Sequence, residues 1–441
     1  MGRNQELTFA ARTIFSEALK RVDAGAAVQN ALRADGTDLL IFGEPAISLS
    51  QPIYVVAVGK AAYPMAEAFD RAAGKNIKAG VVSGADPTRG TSLKGSAWQK
   101  FFGGHPLPSE ESFEAAKACL LMLDRANREK AAVVFLVSGG GSAMMELPRD
   151  PRLTLTDLRE LNRALVTSGA SITEINSVRR AVSAVKGGGL ALSAADSQQI
   201  SLIVSDTRSG DITSVASGPS LLPGAGIPDP IEIVEKYRLE GRLPEIVTRS
   251  IRERESVHHD VTIDSRFHVL LDNRQMVSHA AKIANGIGFE TAFDDDDHDE
   301  MIGDGTSGLL DRALAFKNSV PKGKPACFVS GGEFGCEVRG SGIGGRNCET
   351  VLRAGMLAEE NDELRNFTIL SAGTDGIDGN SPAAGGVVDV TTIKSAREQG
   401  LDPARYLEES DSFTFLKKLD AAIETGPTGT NVRDIRIVLA A

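Results

Sequence analysis

The chain has 441 residues, a length that favours two domains over a single core. Hydrophobic residues at 41% and charged residues at 24% describe a soluble globular protein, and a net charge of -11 argues against general binding to nucleic acid or to a membrane surface. An anionic substrate would need a local basic pocket on this acidic body.

Residues 7–33 carry apolar side chains at helical spacing (Leu7, Ala11, Ile14, Ala18, Val22) and predict one or two amphipathic helices. The charged first residues lack the apolar core of a leader peptide, and no run reaches membrane-spanning length, so a cytoplasmic protein is expected. Residues 54–58 read as a strand ending in Gly59-Lys60, with a helix over 61–74 after it. Residues 80–83 read as the next strand, 101–106 as a loop after another short one, and 110–128 as a helix. The run 133–137 is apolar without alternation, the pattern of a strand buried on both faces, and it breaks into Ser138-Gly139-Gly140-Gly141-Ser142. Three glycines leave backbone N–H groups uncovered and allow an anion cradle; a tight turn without a ligand is the alternative. Strand, loop and helix in repeating order imply a parallel sheet covered by helices on both sides.

Helices are expected over 155–168, capped by Thr154 or Thr156, and over 172–185, stopped by Gly187-Gly188-Gly189. Residues 199–205 form a strand ending at Asp206, and 210–230 read as a long ordered loop of the kind that carries function. Helical stretches at 231–236 and 243–254 lead to a polar break, which divides the chain into domains 1–258 and 259–441. A strand at 267–271 restarts the pattern, followed by a helix over 273–285 and a strand over 290–293. The acidic run 294–300 is read as a solvated loop, since adjacent carboxylates cannot all point at one ion. A helix over 306–316, a strand over 326–330 with a hairpin partner at 336–339, a helix over 347–360, a strand over 367–371, a helix near Phe413 and a final strand over 436–439 complete the chain.

Several strands thus end in a small-residue loop holding one charged or hydroxyl group, and such groups converge on one crevice in α/β folds. Lys60 stands at a helix start, where the dipole disfavours a cation, and suits phosphate oxygens. Arg346 follows Gly344-Gly345, and its planar fork suits a carboxylate or a phosphate. Asp206, Asp375 and Asp378 can bind Mg²⁺ or accept a hydroxyl proton; helix capping is the alternative, and the preferred one for Asp378. Glu333 can hold a cation or orient Lys60, and Asn431 offers both a donor and an acceptor. Arg179 and Lys186, seven apart, are placed on one helix face, either as ligand groups or as a solvated surface. The four cysteines form no CxxC pair, so neither a zinc site nor a disulfide scaffold is indicated. The P-loop pattern and the protein-kinase motifs are absent. GxGxxG occurs as Gly340, Gly342 and Gly345, but the next strand does not place an acid where a dinucleotide fingerprint wants it.

The segments SGGGSAMM, NSVRRAVSAVKGGGLA, IVSDTRSGDITSVASGPS, VSGGE, GGRN, SAGTDGIDG and GPTGTNV are similar to the motifs of the type II glycerate kinases, in that family's order and over nearly the whole chain. The C-terminal portion of these enzymes is called the MOFRL domain. The resemblance implies an α/β protein of two domains: an N-terminal Rossmann-like parallel sheet covered by helices, and a smaller mixed α/β domain, with the active site in the cleft between them. It implies transfer of the γ-phosphoryl group of ATP to the 2-hydroxyl of D-glycerate or a closely related small hydroxy acid. The family's lysine and arginine fall on Lys60 and Arg346, its acids on Asp206, Glu333 and Asp375, and its asparagine on Asn431. Lys60, Arg346 and Asp206 are accordingly assigned to catalysis and Asp375 to Mg²⁺. Ser138, Gly139, Gly140, Gly141, Ser142, Arg179, Lys186, Glu333, Asn347 and Asn431 are assigned to substrate or nucleotide. One departure is clear: the family's KGRGGRNQE reads SGIGGRNCE here, so Ser341, Ile343 and Cys348 replace Lys, Arg and Gln. An NAD(P)H-dependent hydroxypyruvate reductase and a non-catalytic sugar-acid sensor are the rival readings, and a homodimer is left open.

Overall fold

The structure is a computed structural model that describes residues 3–84, 91–93, 97–224, 226–253 and 263–441. The chain forms two compact units, Ala24–Leu270 and a second made of Met1–Asp23 with Leu271–Ala441. The expected boundary at 258/259 lies outside the described residues. The N-terminal helix, Arg3–Arg21, belongs to the second unit, where it packs against the helix Asn273–Gly286 and buries Ile14, Phe15 and Ala18. Its apolar spacing predicted a helix but carried no information about which core that face joins.

The unit Ala24–Leu270 opens with an antiparallel meander, β1 (Leu32–Asp35), β2 (Asp38–Ile41) and β3 (Glu44–Ser48). Its main sheet contains β4 (Ile53–Val58), β5 (Ile77–Gly84), β6 (Trp98–Phe102), β7 (Ala132–Ser138), β8 (Gln198–Val204) and β9 (Ser265–Leu271), in the order β6-β5-β4-β7-β8-β9. The pairs from β6 through β8 are all parallel. Every residue of β4 and of β7 is buried, which is why neither alternates. Helices Ala62–Ala73 and Glu110–Glu129 pack on the sheet. A second apolar cluster joins helices Leu155–Val166, Ile172–Val182, Pro230–Lys236 and Glu245–Glu253. Thr154, not Thr156, caps the first of these: its hydroxyl accepts from Asp157 N at 3.2 Å while Asp157 accepts from Thr154 N at 2.7 Å. The helix Ile172–Val182 stops before the glycines because Ser183 turns extended and Ala184 N bonds back to Leu147 O at 2.8 Å.

Two expectations change here. The strand at 267–271 does not open the second half but forms β9, the edge of the first sheet, with Ser265, Arg266 and Phe267 exposed. Residues 336–339 form no hairpin; the pairing nearby is an isolated bridge between Met301 and Gly335.

The second unit has a mixed sheet of β10 (Glu290–Asp297), β11 (Ala326–Gly331), β12 (Phe367–Gly373), β13 (Gly385–Asp389), β14 (Ala422–Ile423) and β15 (Asp434–Ala440). Its order is β10-β11-β15-β12-β13-β14, with β10 and β11 parallel and the remaining pairs antiparallel. The helix Arg346–Glu360 buries Val351, Leu352 and Ala354 against this sheet. Among the described residues, no helix is long and apolar enough to cross a membrane.

The docking of the N-terminal helix generates a prediction. Ile14→Ala removes a fully buried side chain and should cost about 2–5 kcal/mol. Hydrogen exchange measured by mass spectrometry should then show lost protection in 271–441 and little change in 24–270.

Candidate active site

In the unit Ala24–Leu270, the strand order reverses direction between β4 and β7, so the crevice at their carboxyl ends is a topological switch point. Both ends are closed by the loops that stood out in the sequence. Gly59, after β4, has φ 117, and a Cβ there would lie 2.3 Å from Ser138 O. Only glycine lets the two strand ends come this close. Ser138 fastens the junction, accepting from Ala61 N at 3.0 Å and donating to Val58 O at 3.4 Å, so it is buried structure and not an open ligand group. The glycine loop is itself fixed by its carbonyls: those of Gly139, Gly140 and Gly141 accept from Lys60 N (2.9 Å), Ala143 N (3.3 Å) and Met145 N (3.1 Å). Ser142 Oγ lies 2.6 Å from Ser217 Oγ, which donates to Asn176 Oδ1 at 3.2 Å.

Around this loop the structure gathers polar groups from three strand ends. A Cβ on Gly139 would fall 1.7 Å from Asp206 Oδ2, so the carboxylate following β8 lies directly against the bare backbone. A Cβ on Gly140 would meet Lys60 Cγ and His105 Cδ2, each at 3.2 Å. Lys60, the glycine loop and Asp206 are therefore brought together, and His105 joins them. His105 was read only as part of a loop; its signal was its place just after a short strand of the same sheet.

Arg179 and Lys186 are not brought to this cluster as a shared helix face, because the helix ends at Val182. Arg179 donates from Nε to Asn162 Oδ1 at 2.7 Å, and burial lowers its guanidinium pKa. Lys186 is 2% exposed, and its ammonium contacts the buried Glu146 carboxylate, which also accepts from Ser183 Oγ at 2.6 Å. Burial pushes the Lys186 ammonium down to about 7. This is an interior ion pair that joins the segment before the glycines to the segment after the loop.

The second unit builds its own cluster at the start of the helix Arg346–Glu360. Arg346 donates from Nε and Nη2 to Asp434 (2.5 and 3.1 Å) and from Nη2 to Glu333 Oε1 (2.7 Å). Burial works against its charge, but Asp434 and Glu333 outweigh it and hold the guanidinium protonated well above its ordinary range. Neither bridge uses Nη1. Asp375 lies close by: a Cβ on Gly373 would be 3.2 Å from Asp375 Oδ1 and 3.3 Å from Asp434 Oδ1. Asn431 accepts from Arg433 N at 3.3 Å.

The acidic run is not a solvated loop. β10 continues through it to Asp297, and Asp294 accepts from Arg312 Nε at 3.1 Å. Asp297 accepts from Arg433 Nη1 at 2.9 Å, Asp299 accepts from Arg433 Nη2, and Glu333 N donates to Asp299 Oδ1 at 2.9 Å. Arg433 is 4% exposed, and its carbonyl accepts from Thr374 N and Oγ1. The run thus fixes Glu333, which in turn holds Arg346. Asp434 and Arg433 escaped the sequence reading, although charges beside an apolar run must be buried with partners when that run is a strand.

Asp378 proves to be the cap that was preferred for it. Its carboxylate accepts from Asn347 N (3.0 Å) and Cys348 N (2.8 Å) at the start of the helix. Burial raises its pKa to about 6 against these bonds. Asn347 is buried, donating to Asp378 and accepting from Ser371 Oγ at 2.6 Å, so its amide serves the interior and not a ligand. The same cap occupies the helix start where a GxGxxG turn would seat a pyrophosphate.

A parallel sheet with a polar glycine loop at its switch point, and a mixed α/β unit with a half-buried, carboxylate-held arginine, define a two-unit α/β protein. Residues 10–252 match the family model of a domain of unknown function, DUF4147, and residues 326–434 match the MOFRL family. A D-glycerate 2-kinase of Thermotoga maritima is 36% identical, covering 90% of this chain and 92% of its own. A glycerate 2-kinase of Pyrococcus horikoshii is 34% identical, covering 97% and 96%. The crystal structure of the glycerate kinase of T. maritima superimposes with a TM-score of 0.82 at 32% identity, over 99% of this chain and 100% of that one. The chain belongs to the glycerate kinase family that carries a MOFRL domain.

The Lys186 pair separates an interior role from a ligand role. Lys186→Met should cost about 3–5 kcal/mol, because it strands the Glu146 carboxylate inside the protein. The double variant Lys186→Met/Glu146→Leu should recover most of that loss in urea unfolding, whereas a ligand-binding lysine would lose activity in both.

Proposed function

We propose that the protein transfers the γ-phosphoryl group of ATP to the 2-hydroxyl of D-glycerate, giving 2-phosphoglycerate, with Mg²⁺ as the accompanying ion and the cytoplasm as its compartment. The observation that carries this reading is the meeting of Lys60, the glycine loop and Asp206 at a switch point, in a family whose relatives bear the names D-glycerate 2-kinase and glycerate 2-kinase. The glycine loop offers backbone N–H groups to anionic oxygens. Lys60 balances negative charge on the group in transit. Asp206 accepts the proton of the attacking hydroxyl, which makes that oxygen the stronger nucleophile. Arg346, its planar guanidinium held in orientation by Asp434 and Glu333, presents its remaining donor to a phosphate.

Among the described residues there is no group of three or more His, Cys, Asp or Glu that could enclose a metal. Mg²⁺ commonly uses one or two carboxylates together with substrate phosphates and water, so Asp375 fits as a single protein ligand. Such an ion would draw negative charge off the phosphate oxygens. The reductase reading is disfavoured by one feature: the carboxylate of Asp378 holds the helix start that a dinucleotide would require.

Release of ADP should depend on D-glycerate, and phosphorus NMR should place the phosphate on the 2-oxygen. Lys60→Ala should lower kcat by about a hundredfold to a thousandfold, the range for losing one preorganised charge-stabilising donor. A variant turning over at full rate would remove Lys60 from the mechanism. EDTA should abolish turnover and Mg²⁺ restore it, while oxidation of NADH with hydroxypyruvate should stay at background.

A further inference from the structure

The second unit contains a cavity of about 510 Å³ that has Arg346 in its wall. Its size bears on its occupant. A three-carbon acid with seven heavy atoms needs on the order of 200 Å³ even if each atom takes nearly a water's share of volume. The cavity lies instead in the range of pockets for larger organic ligands, about 300–1,000 Å³. Its lining is mixed: Glu337, Glu349, Asn380, Ser410 and Ser412 stand beside apolar groups. Gly342, Gly344 and Gly345 form one side, their Cα positions packed against Glu409, Asp411, Ser412 and Asp378, while Val338 and the edge of the buried Phe334 supply apolar surface. Val338 is 83% exposed, and Ile343, between the lining glycines, is 43% exposed. These are apolar side chains left in the open beside a glycine floor. The cation at the wall is Arg346, whose Nη1 is outside both of its carboxylate bridges.

We infer that this cavity takes the nucleoside part of the phosphoryl donor, with Arg346 at the end from which the phosphate chain leaves. This deepens the kinase reading and rests on it. A flat heteroaromatic base suits such walls: peptide groups of the glycine-rich turn lie along one face, an apolar side chain covers the other, and Asn380, Ser410 and Ser412 offer polar partners to the base edge or the ribose. The helix start beside the cavity does not compete for the phosphates. Its first N–H groups, on Asn347 and Cys348, are already held by Asp378. The anion is left to the guanidinium. The assignment also accounts for the carboxylates on Arg346. With Asp434 and Glu333 fixing two of its nitrogens, the side chain cannot fold into the cavity and fill it.

The test uses the full-length protein and three readouts. Photolabelling with 8-azido-ATP, followed by peptide mapping, should mark residues 334–345 or 410–412, and excess ATP should protect them. Val338→Glu and Ile343→Glu, both at exposed positions, should raise KM for ATP by about tenfold and leave KM for D-glycerate in place. Titration calorimetry with Mg·ADP should show the same loss of affinity without any acceptor present. Nucleotide binding with the label on the unit Ala24–Leu270 would overturn the cavity assignment and leave the kinase reading standing. Labelling in the cavity without transfer to D-glycerate would uphold the assignment and remove the acceptor. Absence of any adenine-nucleotide binding would overturn both.

Discussion

A charge can be taken out of water only when something else compensates it, and that constraint shapes the second unit. Arg433 and Arg436 lie at the start of β15, Arg346 reaches the same strand through Asp434, and each is answered differently. Arg346 has Asp434 and Glu333. Arg433 has Asp297 and Asp299. Arg436, 1% exposed, lies over the ring of Phe334 at 3.5 Å and donates to Gly331 O, and burial pulls its pKa down to about 10. Removing one carboxylate from such a set leaves a buried cation unanswered, which costs far more than the pair itself contributes. The loops that carry Glu333, Asp375 and Asn431 are thereby tied to one strand, and their side chains are held in place before any ligand arrives.

The unit Ala24–Leu270 reaches a comparable fixity by sterics rather than charge. Gly59 and Gly139 sit where any side chain would collide with Ser138 or Asp206. The parallel pairing of β4, β7 and β8 then sets Lys60, the glycine loop and Asp206 side by side. The carbonyls of Gly139, Gly140 and Gly141 are engaged within the protein, which fixes the shape of the loop. One unit therefore offers preorganised backbone and the other a preorganised guanidinium, two routes to the same electrostatic end.

What was readable in the sequence follows from how local the cause is. β4 and β7 were legible because burial on both faces removes alternation, a property of the run itself. The cap role of Asp378 was anticipated, although the helix it serves begins at Arg346, well away in sequence. Causes that act across the chain left little trace. One partner of Arg346, Asp434, is 88 positions away, and those of Arg433 are 134 and 136 away. The run 294–300 looked solvated because its composition is that of a surface, and only the arginine from β15's edge draws it inward. Nothing in 265–271 or 3–21 said which sheet or which core each would join.

The same distinction bears on the departure from the family pattern at SGIGGRNCE. The three altered positions are not equivalent in space. Cys348 is fully buried, its amide is bound to Asp378, and burial together with that carboxylate holds its thiol well above its ordinary pKa. A substitution there reshapes the packing beneath the helix start and cannot meet a ligand. Ser341 and Ile343 are exposed on the glycine-rich turn above it. Two cations missing from an exposed turn weaken the long-range attraction of anions, an effect that salt screens within about 10 Å. They do not alter the groups at the arginine, which are held by its direct bonds to Asp434 and Glu333. The difference between this chain and the family pattern should therefore fall on capture of charged ligands more than on the geometry of transfer, because Ser341 and Ile343 stand on an exposed turn while Arg346 is fixed by direct bonds to Asp434 and Glu333.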